Sequence, residues 1–180
     1  KLLTLPNLLT LLIAMGYLKW KEKNISDFSV KNINHMYNDG YVFTRKGKGA
    51  MNQTRSLRID LDKFELSSEN KRILRKTEDL KLTVHNIPYP EYSWKIGKLA
   101  KDFYETKFGK RTFSANKVKE LLTTDHNFNR IFTYVIPSEV KGSLSETKPM
   151  HNIGYCIALE TNEIVHYSYP FYDLKPNTQN

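Results

Sequence analysis

The residues most able to do chemistry in this chain are cations gathered at two places. Arg45, Lys46, Lys48 and Arg55 fall in a glycine-bearing run between residues 45 and 55, and Lys71, Arg72 and Arg75 fall in a second run between residues 71 and 76. A basic loop with Gly47 and Gly49 offers backbone N–H groups and cations to a phosphate, although the spacing of a P-loop is absent, and a solvated turn between strands is the competing reading. In the second run Lys71 and Arg75 stand one helical turn apart, as do Arg72 and Lys76, so one side of a helix there is cationic. Like charges in such rows repel, and a nearby anion relieves them; a plain solvated basic face is the alternative. If these seven cations cluster, the partner is nucleic acid and binding weakens steeply with salt as counterions are released.

Other reactive residue types carry less. The one cysteine, Cys156, excludes an intrachain disulfide and any site built on several thiolates, and fits a reducing setting. A lone cysteine in a strand reads as a small buried hydrophobe, since nothing around it would activate a thiolate. His35, His85, His126 and His151 lack the spacing of metal ligands, so neither a metal nor a cofactor is expected.

The elements that must position these groups follow from periodicity. Residues 24 to 40, with Ile25, Phe28, Val30, Ile33, Met36 and Tyr37, suit a short helix ended by Asn38, Asp39 and Gly40. Tyr41 to Phe43 is a brief strand. Leu57 to Phe64 alternates Leu57, Ile59 and Leu61 against Arg58, Asp60 and Asp62, which predicts a half-buried strand. Ser67 to Asn70 supplies a cap and an acidic first turn for the basic helix over 71–76. Leu80 to Ile87 is a strand stopped by Pro88 and Pro90. Tyr92, Ile96, Leu99, Phe103 and Phe108 recur at near-helical spacing, with Gly109 as the stop and Ser114 capping a second helix through Leu122. Three strands follow, over 130–136, 152–160 and 163–172. A two-residue turn at Thr161 and Asn162 would set Gly154, Cys156 and Ala158 opposite Tyr169, Tyr167 and Val165.

This order predicts an α/β or α+β fold: a mixed, largely antiparallel sheet flanked by helices. The composition agrees with a folded domain, at 39% hydrophobic and 12% aromatic residues. The expected organisation is an apolar segment over 1–23, one domain over 24–174 and a polar tail over 175–180. Leu2 to Leu18 carries no charge, but it is short for a membrane span of about 20 residues and is interrupted by Thr4, Pro6, Asn7 and Thr10. No stable membrane association is expected, and the cytoplasm is the expected location. The net charge of +9 points toward polyanions without naming an activity.

A set of short motifs carries a resemblance. Gly40 to Arg45 reads Gly-Tyr-Val-Phe-Thr-Arg, and Arg55 to Asp60 reads Arg-Ser-Leu-Arg-Ile-Asp. Phe64, the run Ser67 to Arg72 with Leu74 to Lys76, and the run Glu163 to Asp173 with its aromatic ending follow in order. Together they resemble the aminoacyl-tRNA-protein transferases, the arginyl and leucyl transferases, over about residues 37 to 174. That resemblance implies a partial GCN5-related acyltransferase-like fold, aminoacyl-tRNA as donor and a protein or peptide N-terminal amine as acceptor.

It also implies where acceptor chemistry would lie. Tyr167, Tyr169, Tyr172 and Asp173 are the candidates to line an acceptor pocket, with Asp173 attracting a charged N-terminus and Pro170 splaying the strand so that its backbone groups meet a ligand. An aromatic sheet core, with Asp173 capping the next element, is the other reading of these residues. Met51 to Thr54 replace cysteines common in the family, and the sequence ends before the phosphate-taking loop that follows this strand in such folds, so catalysis by this stretch alone is not expected. A non-catalytic RNA-binding module and a same-fold acyltransferase using acyl-coenzyme A are the alternatives.

Overall fold

The computed structural model describes residues 21–54, 56–137 and 150–174. The strands are β1 (Glu22–Asn24), β2 (Tyr41–Phe43), β3 (Ala50–Gln53), β4 (Lys81–Asn86), β5 (Arg130–Pro137), β6 (Met150–Glu160) and β7 (Val165–Tyr172). The helices are α1 (Val30–Asn38), α2 (Ser68–Lys76), α3 (Trp94–Phe108) and α4 (Ala115–Thr123). The class is α+β. In place of one mixed sheet, two sheets form, ordered β1-β3-β2 and β4-β5-β6-β7, and every described pairing is antiparallel. A tight turn joins β2 to β3 and another joins β6 to β7, and short connections of this kind force antiparallel neighbours.

The larger sheet buries one face. Ile131, Ile157, Leu159 and Phe171 on that face pack with Ile96, Ala100 and Phe103 of α3 and Val118, Leu121 and Leu122 of α4. α3 lies against both α4 and β7, and the Tyr104 hydroxyl donates to the Pro170 carbonyl at 3.1 Å. Phe43 and Met51 bring the small sheet into the same core. Ser114 caps α4 through the Lys117 N–H, and Gly109 ends α3 at φ 94°, as the sequence predicts. Phe108, expected on the apolar side of α3, is 67% exposed, and Tyr92 precedes the helix.

Several expectations are corrected. α1 begins at Val30, because Ser29 accepts from the Asn32 N–H and so caps there; the residues before it include β1, which straddles the expected boundary at 23/24. Four of the eleven residues of the basic loop are strand, since the segment Ala50 to Gln53 lies between β1 and β2 and pairs with both. Leu57 to Phe64 is no strand. Leu57 is 89% exposed, Asp60 accepts from the Asp62 N–H, and a single 3₁₀ turn spans Leu61–Lys63. Alternation becomes a strand only beside an edge that takes its hydrogen bonds, and no described strand pairs with this segment. The basic helix forms with a reciprocal cap between Ser67 and Asn70, yet none of its residues is buried.

The β6–β7 register also differs from the expected one. The turn holds Thr161 to Ile164, closed by Thr161 N–H to Ile164 O at 2.8 Å, because the Thr161 hydroxyl accepts from both Glu163 N–H and Ile164 N–H. Glu160 therefore pairs Val165, and Ala158 pairs Tyr167. A bulge then leaves Ser168 out of the ladder, so Cys156 meets Pro170 and Gly154 meets Tyr172.

Candidate functional site

That bulge decides where the tyrosines point. Before it, His166 faces the core, with its Nδ1 at 2.8 Å from the Tyr37 hydroxyl and its ring against Phe128. After it, Tyr169 and Phe171 face the core instead, Tyr169 against Phe113 and Phe128 and Phe171 against Tyr155. One extra residue exchanges odd for even positions on the two faces. Tyr167 stays outside, 48% exposed beside Phe132.

The outer face of the larger sheet is thus built on β5, β6 and β7. Phe132 and Tyr134 stand opposite Cys156 and Gly154, and Gly154 is where the Tyr172 Cβ comes so near that a Cβ at residue 154 would lie 3.0 Å from it. The Tyr134 hydroxyl donates to the Tyr167 hydroxyl at 3.1 Å. The Tyr167 hydroxyl also hydrogen-bonds with the Cys156 side chain, so it sits between Tyr134 and the thiol. Burial raises both phenols above their usual range, so both keep their protons at neutral pH. Cys156 lies at the floor of this face, fully buried, and burial pushes its thiol up to about 12 even with Ser168 and Tyr167 close by. It is no nucleophile at neutral pH.

The four acceptor candidates therefore do not converge. Tyr167 is on the outer face, while Tyr169 is in the core, its hydroxyl accepting from the Arg45 N–H at 3.1 Å. Tyr172 packs on Phe103 at the end of β7, and the Asp173 N–H donates to Ile153 O at 2.9 Å. Tyr134, which completes the outer pair, escapes sequence reasoning because its partner is 33 residues away.

The cations divide as well. The Arg45 guanidinium donates to the Thr112 carbonyl at 2.5 Å and lies 4.4 Å from the Phe113 ring centroid, so it fastens the turn to the core. Lys46 pairs with Glu22 at 2.6 Å, and Lys48 pairs with Asp125. The turn itself hangs on Asn127, which is 3% exposed: its Oδ1 accepts from the Gly49 N–H, and its Nδ2 donates to the Thr44 and Gly47 carbonyls, each at 2.7 Å. Lys71 and Arg75 are exposed on α2, and Arg72 pairs with Glu69. No hydrogen bond or ion pair joins these two cationic groups among the described residues, and Arg55 lies outside them.

A third basic surface has no counterpart among the sequence candidates. Tyr92, Trp94, Lys98, Lys101, Asn116 and Lys119 line a groove of about 560 Å³ where α3 meets the start of α4. The approach is close at Gly97: a Cβ there would lie 2.7 Å from the Tyr92 hydroxyl, which would have to swing aside, and 3.3 Å from the Ala115 carbonyl. The clue in the sequence is Lys95, Lys98 and Lys101 recurring one helical turn apart beside Trp94.

Among the described residues no cluster of His, Cys, Asp and Glu is arranged to hold a metal, and no helix is long and apolar enough to cross a membrane. No protein-family model, curated protein or solved structure matches this chain.

Proposed function

We propose that this chain is an acyltransferase-like domain that works on aminoacyl-tRNA, moving the amino acid to a peptide N-terminal amine. Attack of a neutral amine on the ester carbonyl forms a C–N bond and breaks the bond to the ribose oxygen. The amine loses one proton and the departing oxygen gains one. Between these events a negative charge develops on the carbonyl oxygen and must be met by fixed donors.

The observation that carries the proposal is the outer face at the β7 bulge. There Tyr167, protonated, half-exposed and held by Tyr134 and Cys156, sets its hydroxyl beside a strand whose ladder is interrupted at Ser168. The run β4, α3, α4, β5, β6 and β7 supports the same reading, because it is one antiparallel sheet with its helices between the first two strands, in keeping with the front portion of the acyltransferase fold that the motifs suggest.

The test is transfer of a labelled amino acid from charged tRNA to a peptide by the full-length protein, since this stretch by itself is not expected to catalyse. Transfer is expected, with Tyr167→Phe lowering kcat by roughly 100-fold, the usual cost of one oxyanion donor. No transfer, with RNA still bound, assigns the domain to RNA binding without catalysis, and transfer from acyl-coenzyme A in place of tRNA assigns it to the other donor class; either result overturns the proposal.

A further inference from the structure

From the groove between α3 and α4 we infer a binding site for a single-stranded segment of RNA, with a base stacked on Trp94 and the flanking phosphates on Lys98, Lys101 and Lys119. The inference rests on the charged-tRNA reading above and deepens it, adding where the RNA is held.

Charge is the first ground. Between Trp94 and Thr123 eight Lys or Arg residues stand against Asp102, Glu105 and Glu120, so this hairpin holds +5 of the chain's formal +9. Two of the groove lysines have only one-turn pairs, Lys98 with the exposed Asp102 and Lys101 with the half-buried Glu105 at 3.6 Å, and Lys119 pairs with no carboxylate among the described residues. Surface pairs of this kind are worth little, so phosphates displace them readily. Lys117, by contrast, turns away to Glu120 and the Lys46 carbonyl, and takes no part in the groove.

The indole is the second ground. Trp94 is 68% exposed at the first position of α3, set apart from the core that Ile96, Ala100 and Phe103 enter on the same helix. A large ring kept at the surface beside lysines is what a stacked base needs, and every base has a face that suits it. Ser93, at the cap position, makes no side-chain capping bond, which leaves its hydroxyl free to meet a ribose or phosphate. An acidic peptide would use the cations without needing the ring, so the ring favours RNA.

The chain has two tryptophans, and Trp20→Phe leaves Trp94 as the sole indole reporter. A single-stranded adenine dodecamer of RNA should quench that emission saturably. Trp94→Ala should weaken binding of the fluorescein-labelled dodecamer roughly tenfold by anisotropy, and Trp94→Phe should restore most of it. Lys119→Gln should lower the slope of log affinity against log salt by about 0.7. Unchanged emission, a Trp94→Ala variant that binds as the parent does, or polyglutamate competing as well as RNA of equal charge would each overturn the inference.

Transfer kinetics separate this claim from the catalytic one. With charged tRNA as substrate, Trp94→Ala should raise KM and leave kcat unchanged. If quenching holds while no transfer occurs, the groove stands and the catalytic reading falls. If transfer proceeds while Trp94→Ala alters neither RNA affinity nor KM, the groove falls and the catalytic reading stands.

Discussion

Replacing Asn127 with Ala removes one amide and unties the whole turn between β2 and β3. The Gly49 N–H is buried and has the Asn127 Oδ1 as its acceptor, so its loss leaves a buried donor unmet, at about 2 kcal/mol. The Thr44 carbonyl is half-buried and loses its Asn127 donor for about 1 kcal/mol more, whereas the Gly47 carbonyl still accepts from the Ala50 N–H and loses little. The expected destabilisation is therefore about 3 kcal/mol, read by urea unfolding of parent and variant, with Tm lowered by roughly 6 to 12 °C. Asn127→Asp sharpens the test. It keeps an acceptor for Gly49 but sets a carboxylate oxygen against two carbonyls, so at pH 7 it should lose at least as much as Asn127→Ala and recover in part on acidification. A loss under about 1 kcal/mol for Asn127→Ala would refute the claim that this side chain holds the turn.

Burial lowers the His166 imidazole from its usual range to about 4 while its Nδ1 lies against the Tyr37 hydroxyl, so the fold favours the neutral ring. The unfolded chain takes the proton first, near pH 6.5, and stability should fall by about 3 kcal/mol between there and pH 4, then level off. His166→Gln should flatten that interval relative to the parent in urea midpoints taken at pH 7 and pH 4.5; an equal loss in both would refute it. Burial lowers His126 as well, so part of the acid sensitivity survives in this variant. Gly49→Ala should cost about 2 to 4 kcal/mol by calorimetry, because residue 49 sits at φ 82° and a Cβ there would meet the Ile25 carbonyl oxygen at 2.2 Å. A variant as stable as the parent would mean that the β1–β3 approach is looser than this. Cys156 should resist a thiol-specific disulfide reagent at pH 8 until the chain unfolds, and prompt labelling of the native protein would count against its burial beneath the outer face.

Local signals account for what was legible without coordinates. Ser67 and Ser114 cap helices, Gly109 ends one and Pro88 stops a strand because each acts on its own few residues of backbone. The helical repeat through Ile96 and Phe103 likewise announces the buried side of α3. Leu57 to Phe64 misled for the opposite reason: its alternation is local, but a strand needs a partner, and none of the described strands supplies one.

By itself, then, the sequence determined the helices, the later strands, the α+β class and the surplus of positive charge, all of which depend on neighbours within a turn or a strand. The tertiary structure decided which groups act together. A four-residue turn and one bulge send Tyr167 to the outer face and Tyr169 to the core, Asn127 and Arg45 fasten one set of cations while α2 exposes the other, and the approach of α3 to α4 opens a basic groove beside Trp94. Side-chain direction in a strand reverses with each residue, and packing between helices depends on residues far apart in the chain, so neither is written in local pattern.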